Sequence, residues 1–119
     1  MRTIIAGSRS ITDYSVLRAA MREITWVPSV VLSGRARGVD TLGERWAMAN
    51  NLPVEYFYPQ WTLLGNRAGI VRNVEMVQSA DALVALWDGK SRGTTHMIQT
   101  AARFGLVVAV FRQSGIPAK

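Results

Sequence analysis

The stretch Ala82 to Thr95, ALVALWDGKSRGTT, decides the fold. Its first half, Ala82 to Trp87, is a short apolar run between Asp81 and Asp88, with the length and composition of a strand buried on both faces of a parallel sheet. Its second half is a turn. Asp88-Gly89 and Arg92-Gly93 tolerate positive φ and let backbone approach a ligand, and Thr94 or Thr95 can cap the helix that runs on through Met97, Ile98, Ala101 and Ala102. A glycine turn between a buried strand and a helix N-terminus leaves N–H groups unpaired at the positive end of the helix dipole. Such a place accepts a phosphate or a carboxylate. An ordinary strand-to-helix connection has the same pattern, so one loop alone does not make a site.

Upstream, the same cycle occurs three times. Thr3 to Ala6 reads as a strand ending in Gly7-Ser8-Arg9-Ser10, and Thr12 or Asp13 opens a helix with the apolar stripe Leu17, Ala20, Met21 and Ile24. Val30 to Leu32 is the next strand, followed by the loop Ser33 to Asp40 with two glycines and two arginines. Its helix starts near Asp40 or Thr41, where Thr41 and Glu44 have capping-box spacing, and runs to about Asn50. Val54 to Tyr58 is a third strand and Gln60 to Gly69 an irregular loop. Ile70, Val74 and Val77 form the apolar face of the next helix, with Arg72 and Glu75 elsewhere on it. Downstream, Leu106 to Phe111 is a fifth strand after a stop at Gly105, and residues 112–119 read as a loose tail. Residues 1–111 thus read as one Rossmann-like domain, a three-layer α/β/α sandwich around a parallel sheet of about five strands.

Composition narrows the chemistry. The 119 residues suffice for one core, and 49% hydrophobic with 18% charged residues fits a globule. No apolar run is long enough to span a bilayer, and the start MRTIIAGSR turns polar too early for a secretory signal, so a soluble cytoplasmic protein is expected. The absence of cysteine excludes disulfides and thiolate chemistry, and a single histidine argues against a zinc site; neither a metal nor a cofactor is expected. The net charge of +6 points to an anionic partner.

In a parallel sheet the loops leaving the C-terminal strand ends gather along one edge, and ligands bind there where strand order reverses. That edge collects Arg9, Arg35, Arg37, Arg67 and Arg92, with Arg72 just inside a helix. Guanidinium groups and bare N–H groups serve the same oxyanions, which points to a phosphate-rich ligand. Trp61 and Trp87 lie beside the same edge and can stack on a base, though a strand-end tryptophan is also ordinary core.

The motifs GSRSITD at Gly7 to Asp13, SGRARGVD at Ser33 to Asp40, W-x-x-x-G at Trp61 to Gly65, AGIVRNVEM at Ala68 to Met76 and WDGKSRGTTHMI at Trp87 to Ile98 form an ordered set. In this set the chain resembles the SLOG superfamily, specifically the YspA-like or DUF2493 Rossmann-like proteins of bacteria and their phages. The resemblance implies a pocket for a phosphorylated nucleoside, nucleotide sugar or nucleotide-derived signal. The contacts expected from loops and resemblance together are Gly7, Ser8 and Arg9; Ser33, Gly34, Arg35, Arg37, Gly38 and Asp40; Arg67, Arg72 and Asn73; and Trp87, Asp88, Gly89, Ser91, Gly93, Thr94 and Thr95.

The wider superfamily includes lysine-decarboxylase-like phosphoribohydrolases, whose signatures are R-K-x-x-M and P-G-G-x-G-T-x-x-E. Arg72 to Met76 looks like the first, and Gly93-Thr94 keeps part of the second, but the catalytic glutamate position is Met97. A thioether neither accepts a proton nor stabilises an oxocarbenium-like centre, which favours binding over hydrolysis. If the chain is an enzyme, Arg72 and Glu75 are the catalytic candidates, with Asp40 and Asp88 as other carboxylates. His96 reads either as a general acid beside the anion site or as a residue that faces solvent or caps local backbone, Asp40 as a helix cap, and Ser8 and Ser33 as hydroxyl donors to phosphate. A third possibility is single-stranded nucleic-acid binding along Arg18, Arg22, Arg45 and Arg103. The hydrolase relatives pair through helices, so a homo-oligomer is expected, with Trp26, Trp46 or Met48 at its interface.

Overall fold

Strand β1 (Arg2–Gly7) shows why a sheet sits at the centre of this molecule: Ile4 and Ala6 point to one side and Ile5 to the other, and all three are buried. The structure is a computed structural model that describes residues 1–112. It contains β1, α1 (Tyr14–Glu23), β2 (Val30–Ser33), α2 (Val39–Ala49), β3 (Val54–Tyr56), the one-turn α3 (Trp61–Leu64), a 3₁₀ turn (Gly65–Arg67), α4 (Ala68–Gln78), β4 (Ala82–Trp87), α5 (Arg92–Arg103) and β5 (Val107–Arg112). All strand pairs are parallel, in the order β3-β2-β1-β4-β5. The chain builds outward from β1 to β3 and then returns to the other side of β1 with β4. Strand order therefore reverses between β1 and β4.

Helices cover both faces. Leu17, Ala20 and Met21 of α1 and Val39, Leu42 and Ala47 of α2 bury against Ile5, Val31, Val84 and Leu86. Met76 and Val77 of α4 and Met97 and Ala101 of α5 bury against Ile4, Leu32, Leu83 and Ala85. Each fully buried Leu, Ile or Val contributes roughly 1.5–3 kcal/mol, so these two layers hold the fold and leave the loops at the sheet edge to carry polar chemistry. No described helix is long and apolar enough to cross a membrane.

Several local expectations are corrected. Residues 60–69 are not irregular throughout, since α3 and the 3₁₀ turn occupy most of them. Helix α4 buries Ala68, Asn73, Met76 and Val77 while Ile70 is 53% exposed, because an i, i+4 row directed at the sheet outranks the count of β-branched residues. Thr41 and Glu44 form no capping box. Gly38 occupies the N-cap of α2, Thr41 Oγ1 donates to Ala36 O at 3.3 Å, and Glu44 turns back to the preceding loop. Trp26 is half-buried against the core, its Nε1 donating to Thr3 Oγ1 at 3.0 Å, whereas Met48 is 75% exposed. The tail expectation falls on residues 113–119, outside the described residues; Arg112 itself ends β5.

Candidate functional site

The four strand-end loops are tied together before any ligand is considered. A Cβ on Gly7 would lie 2.1 Å from Leu86 O, so this glycine is required by the packing of β1 on β4. Ser8 N–H donates to Leu86 O at 3.0 Å, and Asp88 N–H donates to Ser8 Oγ at 3.0 Å. Gly38 has φ +74, and a Cβ there would come within 2.6 Å of Ser8 O and the Arg9 backbone. Glycines that read as ligand-approach positions thus serve first to bring loop against loop.

At the start of α5 the chain consumes most of its own N–H groups. Asp88 Oδ1 accepts from the N–H groups of Lys90 and Ser91, both at 2.8 Å, which holds the Asp88 carboxyl below its ordinary range. Ser91, rather than Thr94 or Thr95, is the cap: its Oγ accepts from Thr94 N–H at 3.3 Å. Thr95 Oγ1 donates to Ser91 O at 3.0 Å. Among the described residues nothing accepts from the N–H groups of Arg92 and Gly93, and a Cβ on Gly93 would meet nothing within 4 Å. These two donors head a helix of twelve residues and face open space.

That space is a cleft of about 670 Å³ at the β1/β4 switch point, walled by all four loops. Arg9, Arg35, Arg37, Arg72 and Arg92 line it, together with Gly7, Ser10, Asp88, Ser91, Gly93 and Thr94. Arg35, at φ +61, is held by Glu44 at 2.6 Å and lies 5.3 Å from the Tyr56 ring centre. Arg9, Arg37 and Arg92 are exposed. Pro59 and Trp61, the latter 58% exposed, form the wall beside β3 and offer an apolar platform to a planar group.

Beneath the cleft lies a recess of about 40 Å³ lined by Ala6, Gly7, Ala36, Asp40, Arg72, Asn73, Met76, Gly93, Thr94 and Met97. Asp40 is only 4% exposed, and its Oδ2 accepts from Ala36 N–H at 3.1 Å. Burial raises its pKa to about 6, against the opposing pull of the Ala36 N–H and the Arg72 charge. Arg72 donates from Nη1 to Gly34 O at 2.6 Å and from Nε to Asn73 Oδ1 at 3.2 Å. Its own burial works against its charge, and Asp40 acts in the other direction. Gly34 separates the two: a Cβ there would be 2.9 Å from Asp40 Oδ2 and 3.0 Å from Arg72 Cζ.

His96 supports this arrangement from behind. Asn73 Nδ2 lies 3.2 Å from His96 Nδ1, and His96 Nε2 lies 3.4 Å from Thr100 Oγ1, which donates to His96 O at 2.7 Å. The tautomer that satisfies all three contacts has Nδ1 accepting and Nε2–H donating. Burial lowers the His96 pKa, with Arg103 adding to the shift, and both favour the neutral ring. It positions Asn73 and hence Arg72.

Of the residues expected from sequence, the cleft and its recess bring together Gly7, Arg9, Arg35, Arg37, Asp40, Arg72, Asn73, Asp88, Ser91, Gly93 and Thr94. Others lie off its walls. Ser8 Oγ accepts from Asp88 N–H, and Ser33 Oγ donates to Glu44 at 2.5 Å. Gly34 and Gly38 space the loops, and Gly89 turns the chain at φ +85 against Arg112. Arg67 and Glu75 are exposed and do not line the cleft. Trp87 is covered by Arg112, 5.4 Å from its ring centre, and its buried Nε1 has no described partner. Asp40 is not the cap of α2. Sequence reading passed over Ala36, Met76 and Gly69, whose small or apolar side chains give no chemical signal. Met97, the position where the hydrolase relatives carry glutamate, does face the recess, and Asp40 is the carboxylate that lines it.

No solved structure matches the chain. The Gene 61 protein of Mycobacterium phage D29 is 35% identical over 119 aligned residues, covering 92% of this chain and 95% of that protein. Residues 1–63, which include β1, β2, β3 and the first two cleft loops, match the model of the YAcAr family, described as YspA, cpYpsA-related SLOG. By the family-model match, which spans more than half of its length, the chain belongs to the YspA, cpYpsA-related SLOG family, which suggests a nucleotide-related role in binding or modification.

Proposed function

We propose that the protein binds a phosphorylated, nucleotide-like ligand in the cleft, with a phosphate on the first turn of α5 and the planar group toward Trp61. The observation that carries this reading is the meeting, at one switch point, of the unpaired Arg92 and Gly93 N–H groups with arginines from the loops after β1, β2 and β4 and with Arg72 of α4. Calorimetry against AMP, ADP-ribose, NAD and cyclic nucleotides tests it. Arg72→Ala removes a charge-assisted donor at roughly 1.5–3 kcal/mol, so affinity falls about 10- to 150-fold. Gly93→Val fills space that the protein leaves open and blocks the same place. Absence of binding to every phosphorylated ligand rejects the reading.

Hydrolysis of an N-glycosidic bond is a separate possibility, favoured by the one carboxylate, Asp40, in the recess. It requires free base and ribose phosphate to appear in a chromatographic assay, and a flat trace at high protein concentration removes it. Single-stranded nucleic-acid binding, the other alternative, would use a different surface. Tyr14, Arg18, Met21, Arg22 and Trp46 line a groove of about 460 Å³ between α1 and α2, and Arg45 lies 4.0 Å from the Tyr14 ring centre. Arg103 belongs to α5 on the opposite face of the sheet, so the four arginines do not form one track. Retention on single-stranded DNA that collapses steeply with salt supports this second surface; absent or salt-insensitive retention rejects it.

A further inference from the structure

Helix α4 is apolar on two opposite faces. Ala68, Met76 and Val77 are buried on its inner side, while Ile70 is 53% exposed and Val71 and Val74 are half-buried without joining either core layer. A surface helix is polar where it meets water, and a helix that is apolar all round is normally covered all round. The outer row Arg67, Val71, Val74 and Gln78 has the alternating four-three spacing of a helix–helix seam, with Ile70 and Glu75 on its flanks. Arg67 belongs to this row although it precedes the helix, because its backbone is already helical at φ −81 and ψ −13. Arg67 and Glu75 are exposed, and neither has an ion-pair partner among the described residues. Arg72 is turned inward to Gly34 O, so the outer face carries one cation and one anion.

We propose that this face pairs with the same face of a second copy of the chain, α4 antiparallel to α4, about a twofold axis at Val71. Arg67 and Glu75 lie equally far from Val71 along the helix, so the axis sets Arg67 of each copy level with Glu75 of the other. One sequence thereby makes two ion pairs, about 12 Å apart at 1.5 Å per residue, at the two ends of a seam filled by Ile70, Val71 and Val74. Leu63 of α3, exposed beside α4, widens the apolar area. The groove between α1 and α2 does not suit a second copy. Across a twofold there, Arg18, Arg22 and Arg45 would meet their own likeness, and Trp46, expected at an interface from sequence, lies among them. Arg72 and Asn73 sit between the two seam valines on the same helix, so pairing also steadies the element that supplies both to the recess. The inference does not depend on the reading of the cleft as a phosphate site.

The test is sedimentation equilibrium of the full chain over a range of concentrations, for the wild type, Val71→Glu, Arg67→Glu, Glu75→Arg and the double variant that carries both charge swaps. The wild type should sediment as a dimer, and Val71→Glu, which sets two carboxylates against each other on the axis, as a monomer. Arg67→Glu and Glu75→Arg each turn two attractive pairs into repulsive ones and should weaken dimerisation about tenfold or more, whereas the double variant restores opposite charges and should return to within about threefold of the wild type. None of these side chains packs in either core layer, so circular dichroism should show the fold intact in every variant. A wild type that stays monomeric up to about 1 mM overturns the proposal and leaves this face to a different protein. A dimer that survives Val71→Glu, or a double variant as weak as the single ones, overturns it as well.

Discussion

Asp40 is a residue that folding penalises. A carboxyl at about 3.8 in the unfolded chain and about 6 in the folded one binds more protons when folded between those values, so stability falls as pH rises through that window. The cost at pH 7 is on the order of 3 kcal/mol, from about two pKa units at 1.36 kcal/mol each. Asp40→Asn removes the titration and should raise unfolding stability at pH 7 by up to that amount, the gain vanishing toward pH 4; urea melts at both pH values check this. Arg72→Ala takes away the charge that opposes the shift, so the Asp40 carboxyl should titrate above 6 by carbon-13 NMR. A carboxylate held at such expense fits a functional role more readily than a structural one. Its identity and position after a glycine loop were legible. Its burial was not, because an aspartate near a helix start reads as a cap, and only the packing of α4 over the β2 loop encloses it.

At the scale of elements, the glycines divide into two kinds. Gly38→Ala places a side chain at φ +74 and within 2.6 Å of the β1 loop, so it should cost at least about 2 kcal/mol in urea denaturation. Gly93→Ala sits in the first turn of α5 with nothing near it, and should stabilise by up to about 1 kcal/mol while weakening phosphate binding. Opposite signs at two glycines of the same sheet edge would show that one serves the scaffold and the other the ligand. Ser91→Ala should cost about 1 kcal/mol through the lost cap on Thr94 N–H. The strand Ala82 to Trp87 and the capping of α1 by Asp13 follow from local pattern alone, and the structure has both. The cap of α5 does not, since Ser91, Thr94 and Thr95 are all competent and the bend set by Asp88 chooses among them.

Across the whole molecule, β2, β1 and β4 each have a neighbouring strand on both sides, and β1 and β4 are the longer two, six residues each, with side chains buried on both faces. Native-state hydrogen exchange should therefore be slowest in residues 4–6 and 83–86 and faster in β3 and β5 at the edges. The chain by itself determined the elements and the parallel α/β architecture, because period-two and period-3.6 apolar patterns, glycines and caps act over a few residues. It also placed Arg9, Arg35, Arg37 and Arg92 at one edge, since in a parallel sheet every loop that leaves a strand's C-terminal end must lie there. What the tertiary structure alone decided is which polar groups meet. Arg72 reaches Gly34 across 38 positions, Asn73 reaches His96 across 23, and Asp88 N–H reaches Ser8 Oγ across 80. Hydrogen-bond partners are chosen by distance in space and by competition among all the groups buried together, and no local period in a sequence carries that information.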